Sequence, residues 1–188
     1  MRTKEIELEG WETLNVIEKA NKFNKWMYET IKPHCKGKIL EIGSGIGNIS
    51  EFFIADKFDI VLSDLRDNYI EILTDKFSNQ VLKIDLVDEN FDVKYNSLIG
   101  TFDSVFALNV VEHIKDDVQA IANCKKLLKK GGHLIILVPA YQSLYNQFDV
   151  ELEHFRRYTQ KSLKNIIFQN QLQIKKTFSF NVIGILGW

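Results

Sequence analysis

Cysteine, proline and net charge are all scarce in this chain, and each scarcity excludes something. Two cysteines, Cys35 and Cys124, are too few for a disulfide framework, so a reduced, cytoplasmic setting is expected. Two prolines, Pro33 and Pro139, leave no Pro-rich linker, and no repeat or low-complexity tract divides the 188 residues. One domain over 1–188 is the expectation. Lys+Arg at 24 nearly cancel Asp+Glu at 25, so the basic footprint of a nucleic-acid binder is missing. No apolar run is long enough to span a bilayer, and the charged start MRTKEIELEGWETL lacks the apolar core of a signal peptide. Apolar residues are plentiful instead, at 45%, which suffices for a real core.

Short β-rich runs alternate with helical periodicity, the pattern of βαβ units and a parallel sheet. A first helix is expected over 12–32, where Val16, Ala20, Phe23, Met27 and Ile31 recur at helical spacing before Pro33. Strands are expected over 38–43, 58–64, 80–86, 102–109 and 133–139, with a sixth over 172–180, where LQIKKTFSF alternates. Helices between them place Ile49, Phe52 and Phe53, then Ile70, Leu73 and Phe77, then Val118, Ile121 and Leu128 inward. The last of these ends in KKGG, read as basic residues and glycines at a helix C-cap. A further helix is expected over 160–170. The fold class is α/β, a Rossmann-like doubly wound and mostly parallel sheet with its core over about 37–180. Such sheets bind ligands beyond the carboxyl ends of their strands, near the switch in strand order.

The first strand runs into ILEIGSGIGNIS, with glycines at 43, 45 and 47. Glycine there permits positive φ and close backbone approach to a ligand. The spacing is not the dinucleotide GxGxxG, because Asn48 stands where its third glycine belongs. It is not a P-loop either, since no Gly-Lys-Ser/Thr follows. Asp64, Asp85 and Asn109 end the next three strands. A carboxylate ending the second strand can accept from a ribose diol. Asp and Asn also cap helices, so each alone has a structural explanation.

With these residues in view, the chain resembles class I S-adenosylmethionine (SAM)-dependent methyltransferases over about residues 15–180. LEIGSGIG resembles their E/DxGxGxG motif, implying cofactor contacts from Glu41, Gly43, Ser44, Gly45 and Gly47. Asp64 with Leu65 in VLSDL matches the acidic residue used for the ribose hydroxyls. Asp85 in KIDL matches the adenine-amino position, with Leu86 beside the ring. FDSVFALNVVEHI resembles the fourth-strand motif, whose Asn109 region borders the methionine end. LYNQFDVELEHFRRYT resembles a D…GHxRRYT segment of a bacterial, type 11/12-like subgroup, with Glu153 where that subgroup has glycine before His154. The resemblance implies SAM as cofactor, S-adenosylhomocysteine (SAH) as product, and in-line methyl transfer to a small-molecule or glycan/lipid-intermediate acceptor.

On the acceptor side, His113 and His154 are candidate catalytic groups, each alternatively a packed histidine. Tyr141, Tyr145, Arg156, Arg157 and Tyr158 are candidate acceptor contacts. The arginines could clamp an anionic acceptor, or pin a loop through Asp149, Glu151 and Glu153. No metal site is expected, because His113, His133 and His154 are scattered and the cysteines lie apart. The alternatives are a SAM-binding domain without turnover and, less favoured by the glycine spacing, a nicotinamide-dependent oxidoreductase. A base-amino methyltransferase would resemble [DNS]PP[YF] where this chain reads NVVE. The family sheet ends in a sixth and a seventh strand. This chain stops at Trp188 inside an apolar segment, so a missing last strand is expected, with self-association possible through the incomplete sheet edge.

Overall fold

The structure, a computed structural model, describes residues 21–179. Twelve elements carry the fold: α1 (Asn21–Ile31), β1 (Ile39–Ile42), α2 (Ser50–Ala55), β2 (Ile60–Asp64), α3 (Asp67–Lys76), β3 (Val81–Lys83), α4 (Phe91–Lys94), β4 (Phe102–Leu108), α5 (Asp117–Leu127), β5 (Leu128–Leu137), α6 (Gln147–Glu151) and α7 (Gln160–Gln169). The five strands form one all-parallel sheet in the order β3-β2-β1-β4-β5. The order reverses at β1, so the crevice such a sheet offers lies between the carboxyl ends of β1 and β4.

All four β1 residues are buried, because a parallel strand is covered on both faces. Alternation then divides the core. Leu40, Ile42, Val61, Val105 and Ala107 pack toward Ile121, Cys124 and Leu127 of α5. Ile39, Ile60, Leu62 and Phe106 pack toward Met27 and Ile31 of α1, Phe53 of α2 and Leu73 of α3. Phe53 stacks on Phe106 with ring centroids 5.2 Å apart.

Several sequence expectations need correction. Val118 is exposed, and α5 turns Ala120, Ile121, Cys124 and Leu127 inward instead. KKGG is not a helix cap. Helix α5 ends at Leu127, and Lys129–Gly132 form an irregularity at the start of β5, where pairing with β4 shifts between Phe102 and Ser104. Gly131, at φ +78, turns the chain there. The run 172–179 is irregular rather than a sixth strand. The start of the first helix and everything after residue 179 lie outside the described residues. Among the described residues, no helix is long and apolar enough to cross a membrane.

Candidate functional site

The glycine turn sits at the carboxyl end of β1 and is tied to β2. Ser44 N–H donates to the Ser63 carbonyl at 2.8 Å, and Gly45 N–H donates to Asp64 Oδ2 at 2.9 Å. Gly43, Gly45 and Gly47 all have positive φ. Two of these glycines answer to packing. A Cβ at Gly43 would lie 2.5 Å from Val110 Cγ2, and one at Gly47 would lie 2.3 Å from Phe77 Cε2. Beneath the turn, Glu41 is buried and accepts from Ser50 Oγ at the start of α2. Burial pushes its carboxyl up to about 7, against the lowering effect of hydrogen bonds from Ser50 and Ser44.

Asp64 ends β2 with three backbone donors on its carboxylate: Gly45 at 2.9 Å, Leu65 at 2.8 Å and Arg66 at 3.0 Å. A carboxylate has about four acceptor positions, so roughly one remains for a ligand hydroxyl, rather than the pair a diol would use. Burial raises its pKa, and the three N–H donors oppose that. Asp85 is half-buried; its Oδ1 accepts from Val87 N–H, and its own N–H donates to Tyr95 Oη. Leu86 is buried and Leu65 exposed. Asn109 follows β4 at φ +53, exposed, with its N–H on the Leu137 carbonyl. Positive-φ backbone, a carboxylate with residual capacity and exposed Leu65 together suit an adenosyl ligand along this edge.

The segment after β5 supplies the other wall. Tyr141 N–H donates to the Tyr158 carbonyl at 2.9 Å, and Tyr158 N–H donates to the Pro139 carbonyl. The arginine pair does not stand open. Arg157 is buried and donates through Nε to both Asp149 oxygens, at 2.8 and 2.9 Å. Arg156 pairs with Asp117 at 2.7 Å and donates to the Lys115 carbonyl. Tyr158, also buried, donates to Asp117 at 2.8 Å, and Tyr145 Oη donates to the His154 carbonyl. The anion clamp is therefore corrected: these side chains hold the loop, and Glu153 pairs with Arg66 instead. Glu153 itself sits at φ +59, the conformation that favours the glycine it replaces. A cavity of about 280 Å³ bordered by Arg156, Tyr158, Ser162 and Ile166 lies toward α7, away from the glycine turn.

His113 and His154, far apart in sequence, meet edge to face at 4.6 Å between ring centroids. His154 Nδ1 lies 2.8 Å from Asp149 Oδ1, a contact that orients the ring and leaves its other nitrogen facing away from Asp149. Burial lowers His113 to about 4, with the His154 and Arg66 charges adding to the effect. Glu112 is fully buried, and burial raises it to about 8. One ligand atom from each of Glu112, His113 and His154 lies within 4.8 Å of the others. The expectation that the histidines stay scattered fails for this pair, whereas His133 is occupied elsewhere, on the His34 carbonyl. Glu112 was not among the expected site residues; in sequence it and His113 could hold an ion only with a distant acid, whereas the third member the fold brings up is His154.

A family model described as "Methyltransferase domain" matches residues 40–134. The chain is 25% identical over 97 residues to a ubiquinone biosynthesis O-methyltransferase of Pectobacterium atrosepticum, covering 52% of this chain and 40% of that protein. The chain spans about half the length of the curated relatives it matches. Among solved structures, a SAM-dependent methyltransferase from Archaeoglobus fulgidus superposes with a TM-score of 0.62 at 19% identity, covering 87% of this chain and 84% of that one. A phosphoethanolamine N-methyltransferase 2 from Haemonchus contortus, in complex with SAM, gives 0.62 at 20% identity, covering 79% and 36%. At these identities the superpositions establish the fold.

Proposed function

The chain belongs to the methyltransferase-domain family, and from that premise we propose that it is a SAM-dependent methyltransferase whose cofactor lies along the carboxyl edge of β1, β2 and β3. The observation that carries this reading is the glycine turn locked to Asp64 beside the β1–β4 switch point. When bound, SAM supplies a methyl group already activated by its sulfonium, so transfer is an in-line displacement that needs alignment above all.

The chain's own residues supply that alignment. Glu41 braces the turn from below through Ser50. Gly45 and Asp64 fix the turn against β2, and the remaining acceptor capacity of Asp64 takes a ribose hydroxyl. Asp85 and Leu86 serve the adenine. Asn109, at left-handed φ, turns the chain from β4 toward the methionine end. His113 and His154 border the acceptor side, with Tyr141 and Tyr145 on the adjoining segment. The acceptor is a small molecule or a glycan or lipid intermediate. A hydroxyl oxygen is favoured as the methylated atom by the O-methyltransferases among its relatives.

The test is transfer of a labelled methyl group from SAM to hydroxyl-bearing acceptors. Asp64→Ala should weaken SAH binding by about 1.5–3 kcal/mol, roughly 10- to 150-fold, the worth of a charge-assisted hydrogen bond. Unchanged SAH affinity in that variant would remove the ribose assignment.

A further inference from the structure

Cofactor binding leaves one cluster unexplained. Glu112 is fully buried beyond the end of β4, and neither carboxylate oxygen has a hydrogen-bond partner. His113 Nδ1 is buried beside it, also without a partner. A buried carboxyl group without a partner is costly whether charged or neutral, and native proteins pair such groups or give them to metals. The third member, His154, arrives from the loop after α6. Its Nδ1 is held by Asp149, which Arg157 and the Asn146 N–H hold in turn. That chain of contacts orients the ring and presents the second ring nitrogen, the arrangement by which carboxylates orient metal-bound histidines.

We propose that Glu112, His113 and His154 bind a divalent transition-metal ion of the zinc class. Two imidazoles and one carboxylate suit zinc, cobalt or iron, whereas magnesium and calcium call for oxygen ligands. Bonds of about 2.0–2.2 Å would bring ligand atoms to roughly 3.3 Å of one another. The present separations, up to 4.8 Å, exceed that by at most about 1.5 Å, which side-chain rotation can close. Three protein ligands leave a position open, as in catalytic rather than structural sites, and an oxygen of water or of a hydroxyl or carboxylate acceptor would fill it. In that role His113 and His154 are ligands, not proton acceptors. Ion binding does not depend on the methyl-transfer reading; only the use of the open position does.

The test uses the full chain stripped with chelator and titrated at neutral pH with Zn²⁺ by calorimetry and with Co²⁺ by visible absorption. The proposal expects one saturable ion per chain and a ligand-field band from Co²⁺. Glu112→Gln, which relieves the buried carboxylate and so should fold, and His154→Gln should each weaken binding at least about tenfold. SAH affinity and far-ultraviolet circular dichroism serve as fold controls. Absence of saturable binding to the wild type overturns the proposal, as does wild-type affinity in both variants. A chain that binds Zn²⁺ but not SAH would sink the methyltransferase reading alone.

Discussion

Gly47 is the sharpest point at which the account can be broken. Replacing it with alanine has two separable costs. At φ +82 the new Cβ meets the left-handed penalty, about 1–2 kcal/mol. It would also stand 2.3 Å from Phe77 Cε2, 2.9 Å from Phe77 Cζ and 3.2 Å from Leu73 Cδ2. The severe clash falls on the ring of Phe77, half-buried at the end of α3, with fully buried Leu73 behind it, and overpacking of that kind costs about 1–3 kcal/mol. The sum is about 2–5 kcal/mol, or a fall in Tm of roughly 4–20 °C for a domain of this size. Gly100 provides the control: its φ is +66, but a Cβ there meets nothing within 4 Å. Gly100→Ala should therefore show the left-handed cost alone. Urea and thermal unfolding of both variants, followed by circular dichroism, separate the two terms. Adding Phe77→Leu to Gly47→Ala should recover part of the loss as non-additivity. If Gly47→Ala is no less stable than Gly100→Ala, the turn does not pack against α3 as described.

Glu41 gives a pH test. Its folded pKa, about 7, lies above the ordinary 4.5, so its contribution to stability is full below about 4.5 and is lost as pH rises through 7. Between those limits wild type should lose on the order of 3 kcal/mol relative to Glu41→Gln, which cannot titrate but can still accept from Ser50. Parallel pH slopes in denaturant unfolding would contradict this. Strand β5 is an edge among the described residues, and sedimentation velocity should show concentration-dependent self-association through it. A monomer at all concentrations would count against that reading.

Much of the fold was legible because parallel strands buried on both faces read as dense apolar runs, and ILEI, IVLSD and FDSVFAL are of that kind. The glycine turn was legible as a turn, but the packing duties of Gly43 and Gly47 were not, because Val110 and Phe77 reach them from other elements. Residues 172–179 alternate like a half-buried strand, yet a strand also needs a neighbour, and local pattern does not report one. KKGG shows the same limit: glycine marks a change of backbone direction, and here the change is a shift in β4–β5 pairing. For Arg157, sequence proximity offered three acidic partners, and burial of Asp149 beside it selected one, whereas Arg156 found Asp117, far off in sequence. The meeting of His113 with His154 had no signal in spacing, since the loop after α6 had to fold back over the end of β4 before the rings could touch.

The central claim, that the turn at Gly43–Gly47 holds the S-adenosyl cofactor, is tested most directly by titrating the intact chain with SAH and, in parallel, with NADH, by calorimetry and thermal shift. The account predicts one SAH per chain, with stabilisation rising to about 2.7 kcal/mol at a hundred times Kd, and no response to NADH. Stabilisation by NADH, or no heat from SAH, would contradict it.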